Sequence, residues 1–200
     1  MQREPGPTRQ ARQAALVEHI CELWYPRHDG AWLKAALLDE VLDASLREAL
    51  AAAGSDPQAR LAVHRQIVQA FIAVFFRDNT SEDSRWGDFM DASWEPRVGD
   101  EPQRCIDAVL AGAAERIAEI EDEEAAARAA AEAGGYLHAL GQPALAGLMI
   151  DLPALREWFT HGLWEGVEPT WWAPAPDEYG PPEPAIVGVS DELVAILWLP

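Results

Sequence analysis

The segment SDPQARLAVHRQIVQAFIAVFFR, residues 55–77, constrains the fold more than any other. Ser55, Asp56 and Pro57 give a cap followed by proline in the first turn, the sequence mark of a helix start. Leu61, His64, Val68, Phe71 and Phe75 then recur at 3-4-3-4 spacing, while Val63, Ile67, Ile72 and Phe76 cover a second face. Only Arg60, Arg65, Gln66 and Gln69 interrupt the apolar surface. A helix apolar on nearly every side belongs at the centre of a domain. The sequence therefore predicts a core helix over 57–76.

Other helices are expected around it. Thr8 is placed to cap a helix running to about Tyr25, stopped by Pro26. Gly30 opens a second helix, in which Trp32, Leu33, Leu37, Leu38, Val41, Leu42, Leu46 and Leu50 share a broad apolar face. Lys34, Asp39, Asp43 and Arg47 hold the opposite side, and Gly54 is its expected C-cap. Asp100, Glu101 and Pro102 start a further helix with Ile106, Leu110, Ala113, Ile117 and Ile120 on one stripe. Its continuation, AAARAAAEAGG, has high helix propensity and little apolar mass, so the helix reaches about 30 residues before Gly134 and Gly135 end it. Short helices are expected over 136–149 and, capped by Asp151, over 153–161.

The closing stretch AIVGVSDELVAILWLP has β-branched residues on both sides of Ser190-Asp191-Glu192. This predicts a small hairpin in preference to a two-turn helix capped by Ser190. The expected fold is thus mainly α: a single-domain helical bundle with long acidic and aromatic loops and a small C-terminal β-hairpin. Residues 1–7 form a loose tail, 8–163 the helical domain, and 164–200 a Trp/Pro-rich loop and hairpin packed on the same domain.

Charge excludes several partners. Fifteen Lys and Arg against thirty-four Asp and Glu give a formal net charge of −19. That exceeds the ~2–8 units that keep a small domain soluble. It repels nucleic-acid phosphates and anionic lipid, and attracts basic proteins. A solvated acidic surface suited to a high-salt habitat is the plain alternative. Lys34 is the only lysine, beside fourteen arginines, a bias typical of a GC-rich bacterial or phage genome. No apolar run approaches the ~20 residues of a membrane span, and nothing resembles a signal peptide. Cys21 and Cys105 read as buried thiols in a reducing compartment, with a single disulfide as the alternative. The expected location is the cytoplasm.

Catalytic motifs are absent. There is no G-x-S-x-G, G-x-G-x-x-G or Walker pattern, and the helix starts GSDPQ and GDEPQ put acids where a phosphate would sit. Glu157 and His161 lie four apart on one expected helix and form the best metal-ligand pair, with Glu132 and His138 as further donors. His64, on the core stripe, reads as a hydrogen-bonded core residue before a buried general base. The acid-dense EIEDEE run, 119–124, lacks the loop geometry of calcium sites.

Two segments mix acids with large rings. Trp86, Asp88, Asp91 and Trp94 lie in the first; Trp164, Glu165, Glu168, Trp171, Trp172, Asp177 and Glu178 lie in the second. Tryptophans dominate interface hot spots, and carboxylates select basic partners. These eleven residues are the expected partner-binding set, unless the rings plug the core beneath long loops. The function expected from this pattern is non-enzymatic: an acidic protein that binds and neutralises a basic protein partner, as immunity proteins, antitoxins and inhibitors do. No cofactor is expected. The alternatives are a dedicated chaperone, maturation or assembly factor, and a helical enzyme or metal-binding protein using Glu157 and His161.

Overall fold

A computed structural model of the chain describes residues 8, 11, 14, 32–77, 92–118, 152–164, 166–176 and 184–199. Its centre is a sheet rather than a bundle. Five strands run in the order β1-β5-β4-β3-β2, every neighbouring pair antiparallel: β1 Trp32–Leu37, β2 Trp94–Arg97, β3 Thr170–Pro174, β4 Ala185–Val189 and β5 Leu193–Trp198. The helices are α1 Leu38–Val41, α2 Ala44–Ala53, α3 Pro57–Arg77, α4 Glu101–Ala118 and α5 Leu152–Glu157, the last continuing into a π-helical turn over Trp158–Gly162. The expected mainly α bundle is therefore corrected to an α/β fold.

The reason lies in β4 and β5. AIVGV and LVAILW are buried at every position. Side chains alternate across a strand, so a strand apolar at every residue must be covered on both faces. Leu193, Ala195 and Leu197 enter one core with Ile106, Val109 and Phe159. Val194, Ile196 and Trp198 enter a second core with Ile67, Phe71 and Ile72. α1, α2 and α3 thus cover one face and α4 and α5 the other. The C-terminal hairpin forms as expected, but as the middle of the sheet. Ser190 shapes its turn: its backbone N–H donates to Leu193 O at 2.9 Å, and its Oγ accepts from Leu193 N at 3.2 Å and from Glu192 N at 3.4 Å.

β1 replaces the first turns of the expected second helix. WLKAAL has good helix formers, yet each residue pairs with β5, from Trp32 opposite Trp198 to Leu37 opposite Leu193. Central β5 needs a neighbour on that side for its backbone groups, and this tertiary demand outweighs local propensity. The chain becomes helical only at Leu38, whose N–H still bonds Glu192 O at 3.0 Å.

The starts of α3 and α4 fall where the sequence places them, whereas the single helix expected from Gly30 to Gly54 breaks at Leu42 and Asp43. Asp43 Oδ1 accepts from Leu46 N at 2.8 Å, capping α2, and Gly54 ends that helix at φ 51°. Asp56 Oδ1 accepts from Gln58 N at 3.0 Å before α3, which spans Pro57–Arg77. Glu101 in the first turn of α4 accepts from Val98 N at 3.2 Å. Thr8 Oγ1 accepts from Ala11 N at 3.2 Å, as a cap would. The rest of the expected first helix, the alanine-rich end of α4 and the expected helices over 136–149 lie outside the described residues. Among the described residues, no helix is long and apolar enough to cross a membrane.

Candidate functional site

The two acid-and-aromatic segments meet at one edge of the sheet. β2 from the first pairs with β3 from the second, setting Trp94 opposite Pro174, Glu95 opposite Ala173, Pro96 opposite Trp172 and Arg97 opposite Trp171. The expectation that the Trp/Pro-rich stretch is all loop is corrected here, because Thr170–Pro174 is strand β3. Its prolines sit where pairing can spare a donor: Pro174 ends its strand, and Pro96 lies on the edge strand β2.

Alternation along these strands separates the rings. Trp94 and Trp172 enter the core beneath α3, each no more than 2% exposed. Trp164, equally buried, enters the opposite core. Trp171 is half-buried on that same side and packs against Trp164 and Phe159. Three of the expected partner-binding rings are thus core residues, and Trp171 alone among the four described is partly exposed. Trp86, Asp88, Asp91, Glu165, Asp177 and Glu178 lie outside the described residues. Glu168 is exposed on the loop entering β3.

Beside Trp171 opens a cleft of about 830 Å³. Leu61 of α3, Arg97 after Pro96 of β2, Gln103 and Ile106 of α4, Thr160 and His161 of the π turn, and the 166–171 loop all contribute to its walls. The π turn contributes Thr160 and His161 to the lining. Its wide hydrogen bond runs from Leu163 N to Trp158 O at 2.8 Å. The Phe159 carbonyl instead accepts the buried Trp164 indole N–H at 2.7 Å. Such π turns often occur where a helix is reshaped at a functional surface.

The charges of the cleft are unevenly matched. Arg97 is held by Glu95 Oε2 at 3.6 Å and donates to Pro174 O at 3.1 Å. Glu168, by contrast, has no ion-pair partner among the described residues. None of the described acids is buried; Glu101 alone is half-buried and the others are exposed. The acidic character of the described part is therefore a property of its surface.

Glu157 and His161 do come together, with His161 Nδ1 3.4 Å from Glu157 Oε1 and 2.7 Å from Thr160 Oγ1. Both are well exposed, and among the described residues no three His, Cys, Asp or Glu side chains gather as a metal site. Cys105 is a free, half-buried thiol facing a second groove of about 660 Å³. Burial pushes its pKa up, which disfavours the reactive thiolate.

His64 is a hydrogen-bonded core residue, 3% exposed, with Nδ1 2.7 Å from Thr170 Oγ1. Sequence reasoning missed Thr170 as its partner, and missed Arg97, Gln103 and Thr160 as cleft residues. They carry no motif, and only the sheet order and the π turn bring them together. No family model matches the chain, and neither the curated proteins nor the solved structures yield a match.

Proposed function

We propose that the protein is a non-enzymatic acidic binding protein that docks a basic protein partner at the cleft beside β3 and masks it, in the manner of an immunity protein, antitoxin or inhibitor. The observation that supports this most is that Glu168, an acid without an ion-pair partner among the described residues, and Trp171, a ring fixed from behind, wall the same cleft. A partner arginine fits both: its guanidinium stacks on an indole face while pairing with a carboxylate. Trp94, Trp164 and Trp172 support this wall from the cores rather than touching the partner. The remaining acids and rings of the two segments lie near these strands in the sequence. The charge of −19 speeds the encounter and selects against anionic competitors.

The test is capture by the immobilised protein from a lysate of the source organism, with salt as the variable. A single basic protein should be retained and then released as salt rises, because exposed charges are screened beyond ~8 Å at physiological ionic strength. Glu168→Lys should abolish capture without changing the melting temperature. Retention that ignores salt, or that survives Glu168→Lys, overturns the proposal.

A further inference from the structure

The seam between α3 and β3 is closed by a polar cluster in which His64 and Trp172 are buried and Thr170 is half-buried. His64 Nδ1 and Trp172 Nε1 both reach Thr170 Oγ1, at 2.7 and 3.1 Å, and that hydroxyl lies 3.4 Å from Val189 O. One arrangement of protons uses every donor. His64 Nδ1–H and the Trp172 indole N–H donate to Oγ1, and the Thr170 hydroxyl donates to the Val189 carbonyl. His64 Nε2 is then a bare acceptor, fully buried and without a hydrogen-bond partner among the described residues. A neutral ring tolerates this. A proton arriving at Nε2 creates a buried charged donor with nothing to accept it, which costs far more than a missing acceptor contact.

The charged surroundings offer no relief. On α3 itself, Arg60 disfavours a second positive charge nearby, and it is already bonded to Asp191 of the β4–β5 turn. Arg65 lies over the Trp172 ring, 5.8 Å from its centroid. The elements packed on α3 carry Asp39 and Glu40 on α1, Arg47 and Glu48 on α2, and Glu95 and Arg97 on β2, none of them buried. β3 and β4, which also pack on α3, have no titratable side chain, and Glu168 on the loop before β3 is exposed. Burial first, and Arg60 second, hold His64 down from 6.5 to about 4.

We propose that His64 is an acid-released latch: protonation at Nε2 unseats it from Thr170 and frees the 166–171 wall of the cleft before the sheet itself unfolds. Thr170 is the joint, since it belongs both to the polar cluster and to the cleft lining. The latch would regulate the docking site proposed above, but it is read on the protein alone, so either idea can fail without the other.

Hydrogen exchange followed by mass spectrometry tests it, comparing about pH 7.5 with about pH 5 after correction for intrinsic exchange chemistry. With His64 at about 4 when latched and 6.5 when released, the open state becomes roughly 30-fold more populated over that interval. Peptides covering 166–176 should open at a lower free energy than those covering 193–198 and show this rise in that local opening, and His64→Gln should remove it. Exchange of 166–176 only in step with 193–198 through one global opening, an unchanged wall, or the same rise in His64→Gln each overturns the proposal. If His64→Gln does not fold, histidine-labelled wild-type protein decides by NMR. The His64 ring must titrate in step with release of the wall, and a ring that titrates near 6.5 while the wall stays protected overturns the latch.

Discussion

Trp164 stands edge-on to Trp171, with ring centroids 5.6 Å apart and planes at 82°. Gly188 on β4 makes this possible. A Cβ placed there would lie 2.4 Å from Trp164 Cζ2 and 2.9 Å from Trp171 Cζ3. Both contacts are with rigid rings that cannot bend aside. Gly188→Ala should therefore push the pair apart at a cost of about 1–3 kcal/mol, the usual range for overpacking a core. Urea unfolding should give a lower midpoint with an unchanged slope. Near-ultraviolet circular dichroism should report the altered indole packing.

The neighbours Trp171 and Trp172 should separate stability from binding. Trp172 is 1% exposed beneath α3, so Trp172→Ala should cost about 3–5 kcal/mol, measured by denaturant unfolding. Trp171 is half-buried, and Trp171→Ala should cost less. If the cleft is the docking site, Trp171→Ala should nevertheless lose capture of the basic partner. Glu168→Lys should lose it too, with stability changed by less than about 0.5 kcal/mol, as for surface substitutions away from special features.

Local signals in the sequence located most helix ends and the β4–β5 turn. Asp56 and Glu101 each bond a backbone N–H near the start of a helix, and Ser190 shapes its turn, whereas Asp43, read as the polar side of a longer helix, is a cap. Long-range pairing was not legible in the same way. WLKAAL satisfies a helical stripe and a strand equally well, and the choice is made by β5, more than 150 residues away. The π turn and the 166–171 wall of the cleft also depend on rings packed from other elements. The tryptophans were visible as a cluster, but alternation along β3 alone decides that Trp172 is covered while Trp171 borders the cleft.

Acid should weaken the fold in a window set by His64. Its pKa is lowered in the folded protein, so the neutral ring is the form the fold prefers. The associated stability is fully present above 6.5, the ordinary value, and is lost as pH falls from there toward about 4. Below that the unfolded and folded chains bind the same proton and the loss levels off. Between about pH 6 and pH 5 the slope should be roughly 1 kcal/mol per pH unit. Most carboxylates titrate lower, so this upper part of the window belongs to the histidine. Chemical denaturation at successive pH values should show the slope in wild type and its absence in His64→Gln.

Ser190 provides the last test, because the hairpin it turns is the middle of the sheet. Its Oγ accepts from Leu193 N and Glu192 N, and the residue is 7% exposed. Leu193 is itself fully buried, so water cannot readily take the place of that oxygen. Ser190→Ala removes the acceptor, and Leu193 N is left without this partner. The cost of a buried donor stranded in this way is about 1–3 kcal/mol. Ser190→Asp keeps an acceptor oxygen at nearly the same place, and aspartate favours the same kind of turn. It should recover part of the loss. Thermal melts of the three proteins should therefore rank wild type first, Ser190→Asp second and Ser190→Ala last. If Ser190→Ala melts with wild type, the hydroxyl does not hold the turn, and the register of β4 against β5 is then set by their buried side chains alone.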